Sequence, residues 1–177
     1  MNTKNNKRRR ESMERIEKVF VELIQIKEIE DIRVSEICKK ADINRSTFYS
    51  NYADIYELAE KIIAKLYEDF LSISMPHMED VKKRLDFTRI FAHISENRML
   101  YKTYFKLGSM DMGIIGFDED VAKMFFDLKY LDYHIEFFKH GFNAVVKKWL
   151  NGGCKETPEE MNNILIAEYK RDYSILD

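Results

Sequence analysis

The residues of this 177-residue chain best placed to do chemistry are basic rather than catalytic. The first ten, MNTKNNKRRR, carry five positive charges and no negative one. Such a run ahead of a helical module suits a polyanion such as DNA, although solvated basic tails also occur in proteins that never meet nucleic acid. No Gly-rich phosphate loop, nucleophile elbow or His pair at metal-ligand spacing is found. His134 and His140 come nearest, but six residues apart they fall on different faces of a helix. No catalytic residue, metal or cofactor is expected, and the chain is not expected to be an enzyme.

The elements that must carry this charge are helical. A hydrophobic fraction of 45% with 34% charged residues is enough to bury a core. Six Gly and two Pro are few, and none precedes Pro76, which disfavours sandwiches, barrels and βαβ enzymes with their many turns. No apolar run is long enough to span a bilayer, the N-terminus lacks a signal peptide's apolar stretch, and no membrane partner is expected. Two cysteines, Cys38 and Cys154, make no disulfide framework and fit a reducing, cytoplasmic setting. The net charge of −2 conceals an asymmetry: residues 1–52 hold 12 Lys/Arg against 9 Asp/Glu, and the remainder 17 against 22.

Periodicity predicts an all-α fold of about nine helices. Ile16, Val19, Phe20, Leu23 and Ile24 form one stripe on a helix from about Arg8 to Lys27. A short piece, Val34 to Ala41, is followed by Asp42-Ile43-Asn44 and by a second piece, Arg45 to Tyr52, which Asn44 is suited to cap. Asp54 with Glu57 resembles a capping box and opens a long helix with an apolar face from Ile55 to Phe70. Helices are predicted at about 80–96, 98–107 and 118–150, the last with a candidate break near Lys129 and ended by Gly152-Gly153. Thr157-Pro158-Glu159-Glu160 then starts a final helix: Thr157 caps, Pro158 needs no amide there, and Glu160 completes the box.

Two short helices joined by a three-residue turn and braced by a longer first helix describe a helix-turn-helix. Ile37, Ile43 and Phe48 supply its core, Cys38 gives a small side chain where the helices approach, and Asp42 takes the left-handed turn position that usually favours glycine. The stretch Val34-Ser-Glu-Ile-Cys-Lys-Lys-Ala-Asp-Ile-Asn-Arg-Ser-Thr-Phe-Tyr49, with Asn51-Tyr52 and Leu58, resembles the N-terminal module of TetR/AcrR family transcriptional regulators over about residues 10–60. The resemblance implies that Asn44, Arg45, Ser46 and Thr47 start a recognition helix in the major groove. Arg45 would address guanine through its planar fork, and Thr47 a base edge or thymine methyl. Tyr49 and Ser35 would hold phosphates, while Tyr52 fits either a phosphate clamp or hydrophobic packing. Three positions depart from the family pattern: Arg33 stands where a capping Thr is common, Ile55 where a Lys is common, and Asp42 in place of glycine.

His140-Gly-Phe-Asn-Ala-Val-Val-Lys-Lys-Trp-Leu-Asn-Gly-Gly153, with Thr157-Pro-Glu-Glu-Met161, resembles one C-terminal subfamily of TetR-type regulators, which includes an activator of dihydroxyacetone kinase operons. Membership implies a homodimer built from the last two helices. The apolar band that includes Phe142, Val145, Val146 and Trp149, with Ile164 and Leu165 on the last helix, is wide enough for that role, or else is buried within the chain. His93, Tyr101, Tyr104, Phe105, Tyr133, His134 and Phe137 are candidate lining for an effector pocket, though aromatics at helical spacing more commonly build core. The loop from Gly108 to Gly116 is a candidate lid.

Residues 1–53 are thus expected to form a DNA-binding domain with a basic arm, and 54–177 an effector-binding and dimerisation domain. The expected function is a dimeric regulator, more often a repressor, that binds a palindromic double-stranded operator under control of a small-molecule or protein effector. The alternative is a protein-binding adaptor whose DNA-binding module has weakened.

Overall fold

A computed structural model describes residues 4–74, 86–107, 119, 123 and 128–169. Among them are eight α-helices and no strand, in agreement with the all-α expectation. They are α1 (Lys4–Ile24), α2 (Val34–Ala41), α3 (Arg45–Tyr49), α4 (Ile55–Ser74), α5 (Thr88–Glu96), α6 (Arg98–Leu107), α7 (Leu131–Asn151) and α8 (Pro158–Tyr169). The expected lid, Gly108 to Gly116, lies outside the described residues, as does the chain before Asp86 in the segment expected to open α5.

The chain divides into two units, one reaching to Leu66 and including the described part of 99–109, the other comprising the described parts of 67–98 and 110–177. In the first, the stripe of α1 is buried as the periodicity requires: Ile16, Phe20, Leu23 and Ile24 pack with Ile37, Phe48, Tyr52, Leu58 and Ile62. This packing reaches past the expected 53/54 boundary because Leu58, Ala59 and Ile62 of α4 complete the core, and Leu100 and Leu107 of α6 lie against it. Gln25 Nε2 donates to Thr103 Oγ1 (2.9 Å), and Lys106 Nζ donates to the Lys27 carbonyl (2.9 Å), so α6 is tied to the end of α1.

The second unit is built on aromatic rings. Phe87 and Phe91 meet Phe142 at 6.1 and 5.6 Å between centroids, and Phe91 meets Trp149 edge-on at 5.5 Å. Helix α8 packs against α5. Its start has the reciprocal box the sequence predicts: Glu160 N–H donates to Thr157 Oγ1 (3.2 Å), and Thr157 N–H donates to the Glu160 carboxylate (2.7 Å). After α7 the left-handed residues are Gly153 (φ 87°) and Cys154 (φ 52°), while Gly152 stays right-handed. Arg98 braces this turn by donating to the Gly153 carbonyl (3.1 Å).

Candidate nucleic-acid interface

Helices α2 and α3 are joined by Asp42-Ile43-Asn44. Asp42 takes φ 51° and ψ 58°, and the N–H groups of Asp42 and Ile43 converge on the Cys38 carbonyl, closing the helix end. Asp tolerates this left-handed conformation better than most residues. Cys38 is buried under the turn, and that burial pushes its thiol pKa up against a smaller opposing pull from Arg45. A protonated, covered thiol is a packing residue here rather than a nucleophile. Phe48 is wholly buried, which turns the opposite side of α3 outward.

On that outer side Asn44, Arg45, Ser46 and Tyr49 are exposed and Thr47 is half-buried, while Ser35 is exposed in the first turn of α2. Asn44 occupies the position before α3 with extended backbone, but its side chain makes no capping bond. Arg33 likewise gives α2 no side-chain cap. Tyr49 stands edge-on against Phe48 at 5.5 Å, an orientation that keeps its ring in place on the surface.

Tyr52 is a correction. Of the two roles open to it, packing is the one the structure gives: the residue is 1% exposed, and its hydroxyl donates to Glu17 Oε1 (3.1 Å). Burial, then the Glu17 carboxylate, push its pKa well above the usual tyrosine range. Lys61 lies over its ring, 5.2 Å from the centroid. A hydroxyl so enclosed does not reach a phosphate. The Asp54–Glu57 box forms with a shift: Glu57 N–H donates to Asp54 Oδ1 (2.9 Å), and Ala53 N–H donates to the Glu57 carboxylate. That last bond, with Lys61, holds the Glu57 carboxyl below its usual pKa.

Sequence reasoning missed the residues that join α1 to this surface. Helix α1 begins at Lys4, so much of the basic arm is itself helical. Arg9 Nε donates to Asn51 Oδ1 (2.8 Å), while Asn51 Nδ2 donates to the Thr47 carbonyl (2.7 Å). Lys61 Nζ donates to the Asn51 carbonyl (2.9 Å). Between Arg8, Arg9 and Ser12 on one side and Thr47, Ser50 and Asn51 on the other lies a cleft of about 410 Å³. The sequence signal available for it is a pattern of spacing: Lys7 and Arg10 have glutamates four residues on, whereas Arg8 and Arg9 have Ser12 and Met13.

The candidate effector residues are divided between the two units. Tyr101 and Tyr104 are buried in the first unit, with Phe105 edge-on to Tyr104 at 5.2 Å. His93 and His134 belong to the second unit and are half-buried. His93 has its pKa lowered, chiefly by burial, against the opposing charges of Asp69 and Glu96. Tyr133 and Phe137 are 78% and 81% exposed on α7, so they are surface rather than pocket walls.

The expected dimer face divides in two. Phe142, Val146, Trp149 and Leu165 are buried within the second unit, which corrects their assignment to a face left open for a partner. Trp149 Nε1 is also used, donating to the Glu156 carbonyl (3.1 Å). Val145 is half-buried and Ile164 exposed, and both line a surface groove of about 470 Å³ with an edge of Trp149 and Met161.

Residues 85–167 match the family model described as transcriptional regulator C-terminal region, TetR_C_8. The match spans α5 to α8 almost entirely. Among solved structures the chain resembles the dihydroxyacetone kinase operon activator DhaS, with a TM-score of 0.55 and 20% identity over 90% of this chain and 96% of that one. At that identity the likeness is one of fold: the two chains share an all-α architecture along nearly their whole length. No curated protein sequence matches the chain.

Proposed function

We propose that this protein is a DNA-binding transcriptional regulator, more often a repressor, that reads a palindromic operator as a homodimer in the cytoplasm. The observation carrying the reading is the outer face of α3: Arg45, Ser46 and Tyr49 exposed on a helix whose other side is anchored by a fully buried Phe48. Arg45 is the residue that addresses a base, since its fork matches guanine O6 and N7, while Tyr49 and Ser35 offer hydroxyls to phosphates. No catalytic role, metal or cofactor forms part of this reading. Effector control belongs to the second unit, where a ligand or protein favouring one conformation would shift the population between DNA-bound and free forms.

Dimerisation is supported by the apolar surface of α7 and α8. Tyr133, Phe137 and Gly141 follow one another at four-residue spacing along one face of α7, and Val145 continues it. In a two-fold antiparallel pairing of α7 with its copy about Gly141, Phe137 meets the partner's Val145 and Tyr133 the partner's Trp149, at the groove each copy presents. A Cβ added at Gly141 would meet nothing within 4 Å, so the single chain has no steric need of glycine there, whereas a closely approaching second helix would. The acidic Asp132 and Glu136 at one end of the helix and Lys147 and Lys148 at the other are complementary in the same arrangement.

The test is fluorescence anisotropy on an operator selected from genomic DNA. Arg45→Ala is expected to lose about 1–3 kcal/mol of discrimination at one base position, and Tyr49→Phe to weaken all sequences alike. Unchanged binding in both variants would overturn the contact assignment. A second reading, a protein adaptor with weakened DNA binding, is favoured by the enclosed hydroxyl of Tyr52 and by apolar Ile55 opening α4. It predicts weak, sequence-independent binding in the same experiment.

A further inference from the structure

The four consecutive basic residues Lys7 to Arg10 are not equivalent. Lys7 and Arg10 each face a glutamate one helical turn on, Glu11 at 3.9 Å and Glu14 at 3.6 Å. Arg8 and Arg9 have no carboxylate partner among the described residues, and these two are the ones that line the cleft against the end of α3. The lining holds two guanidinium groups and no carboxylate; of its hydroxyls, those of Ser12 and Ser50 already donate to the Arg8 and Thr47 carbonyls. A cleft so composed favours an anion.

Its geometry is held from below by Asn51, which is 8% exposed. The Asn51 NH2 group is committed to the Thr47 carbonyl, so its carbonyl oxygen faces Arg9 and accepts from Nε. That bond sets the plane of the guanidinium and leaves its two terminal nitrogens without a partner among the described residues. A planar fork with two parallel N–H groups matches two oxygens of one phosphate, and holding the fork in advance reduces the rotamer entropy lost on binding. Thr47 belongs both to this cleft and to the outer side of α3, so an anion seated here lies beside the face assigned to base reading.

We propose that the cleft is a seat for one backbone phosphate of duplex DNA, with Arg9 and Arg8 as binding residues and Asn51 as the positioning residue that fixes Arg9. The proposal rests on the DNA-binding reading above. It assigns the start of α1 a fixed point on the DNA backbone, set by a contact across 42 residues of sequence rather than by a free tail.

The experiment follows anisotropy of the full chain on a labelled duplex across a salt series. Arg9→Gln is expected to lower the slope of log K against log salt by about 1, the loss of one phosphate contact, and Lys7→Gln by less than half as much. Asn51→Asp places a carboxylate beside Arg9; it is expected to match Arg9→Gln, and the double variant to lose no more than either alone. A merely structural Asn51 would instead add its effect to that of Arg9. Equal slopes for Arg9→Gln and Lys7→Gln would overturn the seat in favour of general attraction. Inorganic phosphate, exchanged for chloride at constant ionic strength, would overturn the assignment to DNA if it bound the wild type and not Arg9→Gln while leaving the affinity of the wild type for the duplex unchanged. Failure of the wild type to bind any duplex would remove the DNA reading and this proposal together. Binding by the wild type with an unchanged Arg9→Gln slope would remove this proposal alone.

Discussion

The outer side of α3 and the outer side of α7 are both exposed helix surfaces, but they differ in what they expose. Around α3 two of the three rings are committed inward: Phe48 and Tyr52 are buried, and what remains outside is Arg45, Ser46, Tyr49 and part of Thr47. Along α7 some aromatics have gone into the second unit's core, yet Tyr133 and Phe137 stay outside beside Val145 and Gly141. A surface of guanidinium and hydroxyl groups fits a charged, hydrated partner. A surface of large rings at helical spacing fits an apolar one, and contiguous exposed apolar patches on soluble proteins commonly mark association. The two faces thus suit partners of different chemistry, which under the proposed function are DNA on one and a second copy of the chain on the other.

The largest effect separating them is expected from Phe48→Ala. Removing a fully buried ring beneath α3 should cost about 3–5 kcal/mol of stability and abolish DNA binding with it, as read by chemical denaturation and anisotropy. Phe137→Glu should do the reverse: little change in the stability of the single chain, but a rise of about 30-fold in the dimer dissociation constant, roughly the 2 kcal/mol of a central interface residue, measured by sedimentation. If Phe137→Glu instead unfolds the protein, the ring is core and the contrast between the faces is lost. The smallest effect, and the sharpest for the register, is that of Gly141→Ala. Replacing a mid-helix glycine should stabilise the single chain by about 1 kcal/mol, while a Cβ at the dyad should weaken the dimer. A gain in both would place the close approach of the two helices elsewhere.

Much of this architecture was legible beforehand where short-range chemistry decides it. The left-handed Asp42, the buried Phe48 and the Thr157–Glu160 box follow from residue type and spacing within a few positions, and all are present. Reading failed where long-range contacts decide. Asn44 has the right chemistry for a cap and makes no side-chain bond. Tyr52 lost its hydroxyl to Glu17, 35 residues away, and Arg9 found Asn51 across 42. Periodicity placed the apolar residues of α7 on a band without saying which edge the second unit covers. That edge depends on where Phe87 and Phe91 pack, and they take Phe142 and leave Phe137 outside.

The measurement that bears most directly on the central claim is selection of genomic DNA fragments on the purified full chain, followed by salt titration and stoichiometry on the selected site. Two copies bound to a palindrome whose half-sites are centred about 34–36 Å apart, with affinity falling steeply as salt rises, is the predicted result. Weak, sequence-independent binding by single chains would contradict it and turn the search to protein partners.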